Sequence, residues 1–239
     1  MLKVGLVGSG GISRAHIPAW LNMAETELVA LCDIRPEQME EFPQCRHYTD
    51  FEEMLHCEKL DILDICLPTY LHVDYAVKAM EQGIHVICEK PIAFREEDVH
   101  RAYEAAHRNG VCFMIAQVLR FWPEYELLKD IYDSKRYGKL LAGSMQRLGV
   151  RPLWSWDNWM MDKDRSGMVP FDLHIHDLTL WCMPLVPLPT WCSTGVSGLT
   201  RTTSQTFTSI PISLSVRKPP GMPLPCPSVR DSDSSLRMH

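Results

Sequence analysis

The sequence predicts an α/β chain built on a doubly wound, mainly parallel sheet and continued by a partial α+β domain. Three observations carry this. Apolar runs alternate with amphipathic segments from Val4 to Ala116, the first run breaks into Gly8-Ser9-Gly10-Gly11, and the second ends in Asp33. Alternating strand and helix patterns call for parallel strands covered on both faces, with ligands at the carboxyl ends of the strands.

Taken in order, Val4, Leu6 and Val7 read as a buried strand, and Ser13–Asn22 as the helix after it. Gly8 allows a sharp turn, and Gly10 has no Cβ to keep an anion from the backbone. The free N–H groups and positive end of the helix then face that anion. The pattern Gly8-x-Gly10-x-x-Ser13 puts Ser13 where the third glycine of a dinucleotide fingerprint stands, with Gly11 and Ile12 inside the turn. A plain strand-to-helix turn is the bland alternative. The run 28–32 ends in Asp33, where a carboxylate accepts hydrogen bonds from the adenosine ribose. A negative charge there repels a 2′-phosphate and favours NAD over NADP; Arg35 softens that choice, so NADP stays possible. Without the glycines, Asp33 would be a solvated turn residue before Pro36. Together these features make a Rossmann-type dinucleotide site the expected one.

A short helix is expected over 36–41, a brief strand at Arg46–Tyr48, and a helix carrying Phe51, Met54 and Leu55 capped by Thr49 or Asp50. A strand over 62–67 ends at Pro68. Val73, Val77 and Met80 follow at helical spacing up to Gly83. The strand 84–88 runs into Glu89-Lys90-Pro91, then a helix over Glu96–Asn109 and a strand over 111–116. Beyond Phe121 come a helix at 124–134, strand character at 139–150, a loop with Trp154, Trp156, Asp157, Asn158 and Trp159, and a helix over 167–182. The expected units are 1–120, dinucleotide binding; 121–182, part of a substrate domain; and 183–239, a disordered, atypical tail.

The 239 residues suffice for one large or two small domains. A formal net charge of -6 gives no reason to expect nucleic acid or an acidic membrane as partner. Nine cysteines form no C-x-x-C pair, and several lie within apolar strands, so they read as reduced thiols. No apolar run approaches a membrane span and no leader precedes the first strand, so a cytoplasmic protein is expected. From about Met183 the pattern changes: nine of the 17 prolines lie there, but only Asp231 and Asp233 of the 30 acidic residues. Little apolar surface offsets the ordering entropy of such a stretch. An altered reading frame or a splice product would produce it; translating the other two frames past this point tests this.

These motifs, in this order, resemble the Gfo/Idh/MocA oxidoreductases, named for glucose–fructose oxidoreductase and inositol dehydrogenase. The resemblance covers residues 1 to about 182. It rests on the glycine turn, Pro68-x-x-x-His72 with Ala79 and Gly83, Glu89-Lys90-Pro91, Arg120-Phe121-x-Pro123-x-Tyr125, and Gly167 followed by Asp172-x-x-x-His176-Asp177. It implies an NAD(P)-dependent enzyme with Lys90, Asp172 and His176 as catalytic residues. The cofactor would meet Gly8, Ser9, Gly10, Gly11, Ile12, Asp33, Arg35, Pro68, Thr69, His72, Glu89 and Lys90. It also implies an open antiparallel sheet in the second domain and a homo-oligomer formed through it. That sheet needs a longer stretch after Asp172 and His176 than is legible here, so assembly would be weakened. Leu67 stands where the family often has Thr, Thr69 where it often has Asn, and His174 where it often has Gly.

The residues support the same chemistry. Alcohol oxidation needs a base, and an imidazole such as His176 titrates near working pH. Asp172, four positions earlier, would share its helical face and orient substrate or ring. The Lys90 ammonium, at a strand exit, would hydrogen-bond the reacting oxygen. Trp156, Asp157 and Trp159 would meet a sugar or polyol together with Lys90, Asp172 and His176; core packing is the alternative for the tryptophans. His72 would cap or pack near the cofactor loop; a plain helix-start histidine is the alternative. His174-x-His176 with nearby carboxylates also resembles a metal set, but Asp172 and His176 are explained without one, so no metal is expected. Two readings remain: hydride transfer between NAD(H) and a sugar, cyclitol or related polyol, or a non-catalytic nucleotide-binding remnant.

Overall fold

The computed structural model describes residues 1–138, 143–182 and 207–214. The amino-terminal part is a six-stranded sheet of β1 (Leu2–Val7), β2 (Thr26–Cys32), β3 (Arg46–Tyr48), β4 (Ile62–Ile65), β5 (His85–Cys88) and β6 (Phe113–Ile115), in the order β3-β2-β1-β4-β5-β6. All five pairings are parallel. The crossovers carry α1 (Ser13–Asn22), α2 (Phe51–Cys57), α3 (His72–Glu81) and α4 (Glu96–Asn109). The order reverses between β1 and β4, which opens a crevice at their carboxyl ends where such sheets take ligands.

Each strand face has its own core. Val4 and Leu6 of β1 pack with Ile17 and Trp20 of α1, whereas Val7, Leu63 and Ile65 pack with Ala76 and Met80 of α3 and Met54 of α2. A fully buried Leu, Ile or Met contributes roughly 1.5–3 kcal/mol, so these central strands carry most of the sheet's stability. Asp50 caps α2, its carboxylate accepting from the Glu53 N–H at 2.8 Å. The expected helix at 36–41 is a three-residue 3-10 turn, Pro36–Gln38, and the strands at 62–67 and 111–116 are shorter than their apolar runs.

Beyond the sheet lie α5 (Pro123–Ser134), β7 (Gly143–Val150), a 3-10 segment Trp156–Met161, and the helices α6 (Lys163–Ser166), α7 (Met168–Asp172) and α8 (Ile175–Cys182). The helix expected over 167–182 is therefore two helices, separated at Leu173 and His174. β7 pairs antiparallel with β8 (Phe207–Leu214), inside the stretch where the sequence shows no lasting period. The rest of the 183–239 tail, and 139–142 of the expected strand, lie outside the described residues.

Candidate active site

The crevice is lined first by the glycine turn. Gly8 has φ +92, and a Cβ there would stand 2.5 Å from the Cys66 carbonyl oxygen at the end of β4. Only glycine therefore lets β1 leave the sheet beside β4. Gly10 faces the other way: the nearest atom to a Cβ is Arg35 Nη2 at 3.7 Å. No side chain caps α1 and its first turn holds no acidic residue, so no carboxylate of α1 competes with an anion beside Gly10 and the Arg35 guanidinium. Asp33, 7 % exposed, accepts from the Ser9 backbone N–H at 2.8 Å and from Arg35 N and Nε at 2.9 and 3.2 Å. The hydroxyls of Ser9 and Thr69 are buried without a hydrogen-bond partner among the described residues. An open glycine, a helix start without acid and two unmet hydroxyls fit a nicotinamide dinucleotide in this crevice. Pro68 opens the turn Thr69–Leu71 on its far side.

At the end of β5, Lys90 Nζ donates to Asp172 Oδ1 at 3.0 Å and to the Asp172 carbonyl at 2.7 Å. Both side chains are largely shielded, at 16 and 20 % exposure. Two expected site residues 82 positions apart are thus brought together. His176 lies in the first turn of α8 and Asp172 at the end of α7, so the shared helical face expected from their spacing does not form. His174, 3 % exposed, lies 3.6 Å from Asp177. Glu89 and His72 face inward. Glu89 accepts from His16, and the His72 ring stands between the carbonyls of Leu67 and Pro91.

The tryptophan loop lies on the dinucleotide side. The Arg35 guanidinium stands 5.5 Å from the centre of the Trp156 ring, and the Arg165 guanidinium stands 5.8 Å from the same ring and 5.2 Å from that of Tyr70. Asp157 pairs with Arg165 at 2.8 Å, and Trp154 approaches Gly11. Trp159 belongs to the same 3-10 segment and is partly buried.

Sequence reasoning missed His16, Trp20 and Asp64. Asp64 is fully buried and accepts from His16 Nδ1 at 2.8 Å and Trp20 Nε1 at 2.6 Å. The available signal was the carboxylate itself: an Asp inside the apolar run 62–67 needs buried partners.

Against known proteins, residues 2–117 match the model of the oxidoreductase family with an NAD-binding Rossmann fold, GFO_IDH_MocA. Residues 2–117 thus carry the NAD-binding Rossmann domain of the Gfo/Idh/MocA oxidoreductase family. D-apiose dehydrogenase of Paraburkholderia graminis is 28% identical over 180 residues, 74% of this chain and 48% of the relative. Inositol 2-dehydrogenase of Salmonella paratyphi B is 31% identical over 147 residues, 59% and 44% of the two chains. The chain thus spans about half the length of the curated relatives it matches. The WlbA dehydrogenase of Bordetella pertussis, solved with NADH and UDP-GlcNAcA, superposes with a TM-score of 0.73 at 25% identity, covering 92% of this chain and 68% of that one. The dinucleotide expected of the Gfo/Idh/MocA fold is NAD, which the crevice fits. Among the described residues no helix is long and apolar enough to cross a membrane.

Proposed function

We propose that this Gfo/Idh/MocA chain transfers hydride between NAD(H) and a sugar, cyclitol or related polyol, with 1–120 as the dinucleotide unit and 121–182 as part of the substrate domain. Bound NAD supplies the hydride acceptor. The turn 8–12, Asp33, Arg35, Pro68 and Thr69 hold the dinucleotide. Lys90 donates a hydrogen bond to the reacting oxygen and favours its alkoxide character. Asp172 holds the ammonium in place, and His176 takes the hydroxyl proton. The observation that carries this reading is the shielded Lys90–Asp172 pair, a cation fixed at the carboxyl edge of the sheet beside the crevice. The contacts of Trp156 with Arg35 favour a cover over the dinucleotide more than a platform for the sugar.

The test is absorbance of reduced nicotinamide on mixing the chain with NAD and a panel of polyols, free sugars and nucleotide sugars, beside Lys90→Ala. Turnover that disappears in Lys90→Ala supports the enzyme. NAD binding without turnover across the panel supports the non-catalytic nucleotide binder instead.

A further inference from the structure

An imidazole holds each end of the Glu89–Lys90–Pro91 turn. His16, in α1, donates through Nε2 to Glu89 Oε1 at 3.0 Å and through Nδ1 to Asp64 Oδ2 at 2.8 Å. The second oxygen of Glu89 accepts the Lys90 backbone N–H at 3.1 Å. At the other end His72, the first residue of α3, has Nδ1 2.8 Å from the Pro91 carbonyl and Nε2 2.7 Å from the Leu67 carbonyl. Both helices start at loops that border the crevice.

The rings differ in charge. Carboxylates only accept, so a ring between two of them carries both protons. Burial opposes that charge on His16, but hydrogen bonds to Asp64, Cys66 and Glu89 outweigh it and push its pKa up to about 12. Glu89 is held below the usual carboxylate range: burial raises it, and the His16 hydrogen bond with the His16 and Lys90 charges more than reverses this. For His72, at 1 % exposure, burial pulls the pKa down, more than the carbonyls of Leu67 and Pro91 and the charge of Glu89 restore, while Lys90 pulls the same way as burial. A neutral His72 donates to one carbonyl at a time. Cys66 brings a third ligating atom within 4.8 Å of His16 and Asp64. However, those two already stand at hydrogen-bond distance and Trp20 donates to the same oxygen, so protons fill the space a cation would need.

We propose that His16 and His72 are positioning residues: from α1 and α3 they fix the Glu89–Lys90–Pro91 turn and so aim the Lys90 ammonium at Asp172 and the reacting oxygen. The proposal rests on the assignment of Lys90 to the reaction. Removing His16 leaves the Glu89 charge unshared beside Lys90, which raises the pKa of that ammonium. Removing His72 frees the Pro91 carbonyl without changing a charge near neutral pH. The two losses are therefore distinguishable.

The experiment uses the full chain and its His16→Asn and His72→Asn variants. Both are expected to lower kcat by roughly a hundredfold, as a displaced reacting group does, with the Kd for NAD little changed. Only His16→Asn is expected to move the Lys90 limb of the kcat–pH profile upward, a shift that mere loss of packing does not produce. Wild-type kcat in both variants, or an unmoved profile in His16→Asn, overturns the proposal. Where the wild type turns over no substrate, the reaction assignment fails by itself, and the Lys90 ammonium is followed directly by NMR after carbon-13 methylation. A raised titration midpoint in His16→Asn then supports the brace, and an unchanged one overturns it. Should His16→Asn not fold, Glu89→Gln replaces it with the opposite sign. The Lys90 midpoint must fall, and an unchanged midpoint again overturns the proposal.

Discussion

The six-stranded sheet and the segment from Phe121 to Thr179 are held by different forces. In the sheet Val4, Leu6, Leu63 and Ile65 are fully buried, and both faces are covered by helices. In the later segment α5 buries none of its residues, while Phe121 and Trp154 are 76 and 71 % exposed. Its described ties to the sheet region are mostly polar or cationic, Lys90 to Asp172, Arg35 on Trp156 and Arg165 on Tyr70, beside the edge-to-face rings of Phe94 and Phe171 and the approach of Trp154 to Gly11. Apolar burial is non-directional and makes a scaffold; charged pairs are directional and set where a second element sits. The site lies on the seam between the two kinds of construction.

The largest effect expected from breaking the seam is in Lys90→Ala, which removes the cation shared by both regions. Turnover should drop by about 10²–10³-fold, the usual cost of losing one such donor, while circular dichroism stays unchanged. Next comes a contrast in stability. Leu63→Ala, in the sheet, should cost about 2–5 kcal/mol in urea unfolding, whereas Phe121→Ala should stay within about 0.5 kcal/mol. Equal losses would show that the later segment has an apolar core after all.

A smaller effect comes from pH. His16 titrates near 6.5 when unfolded and near 12 when folded, so its contribution is complete below 6.5 and declines as pH rises through that window. His72 is depressed on folding, so its contribution is present above 6.5 and lost as pH falls through its folded value. The urea midpoint should therefore fall on both sides of neutrality. His16→Asn should flatten the alkaline side and His72→Asn the acid side. The smallest change is expected from Trp156→Ala, about 0.5–1 kcal/mol for an exposed cation–π contact. In calorimetry it should weaken NAD more than substrate; the reverse would return Trp156 to the sugar side.

Strand and helix positions up to Ile115 were legible because each depends on a short window: an apolar run, a cap such as Asp50, a breaker such as Gly83. Helix 167–182 was misread because the apolar pattern runs on through Leu173 and His174, while the backbone there ends one helix and begins another. Asp172 and His176 thus kept their spacing and lost their common face.

By itself, the sequence determined the parallel α/β sheet, the glycine turn, the acid after β2 and the family, since these are local patterns of polarity and backbone freedom. Only the tertiary structure decided that Lys90 meets Asp172, that Trp156 lies against Arg35, and that His16 joins Asp64 to Glu89 across 48 and 73 residues. The reason is physical: such pairings follow from strand order and helix placement, which bring distant residues within hydrogen-bond reach, and no short window of sequence encodes that distance.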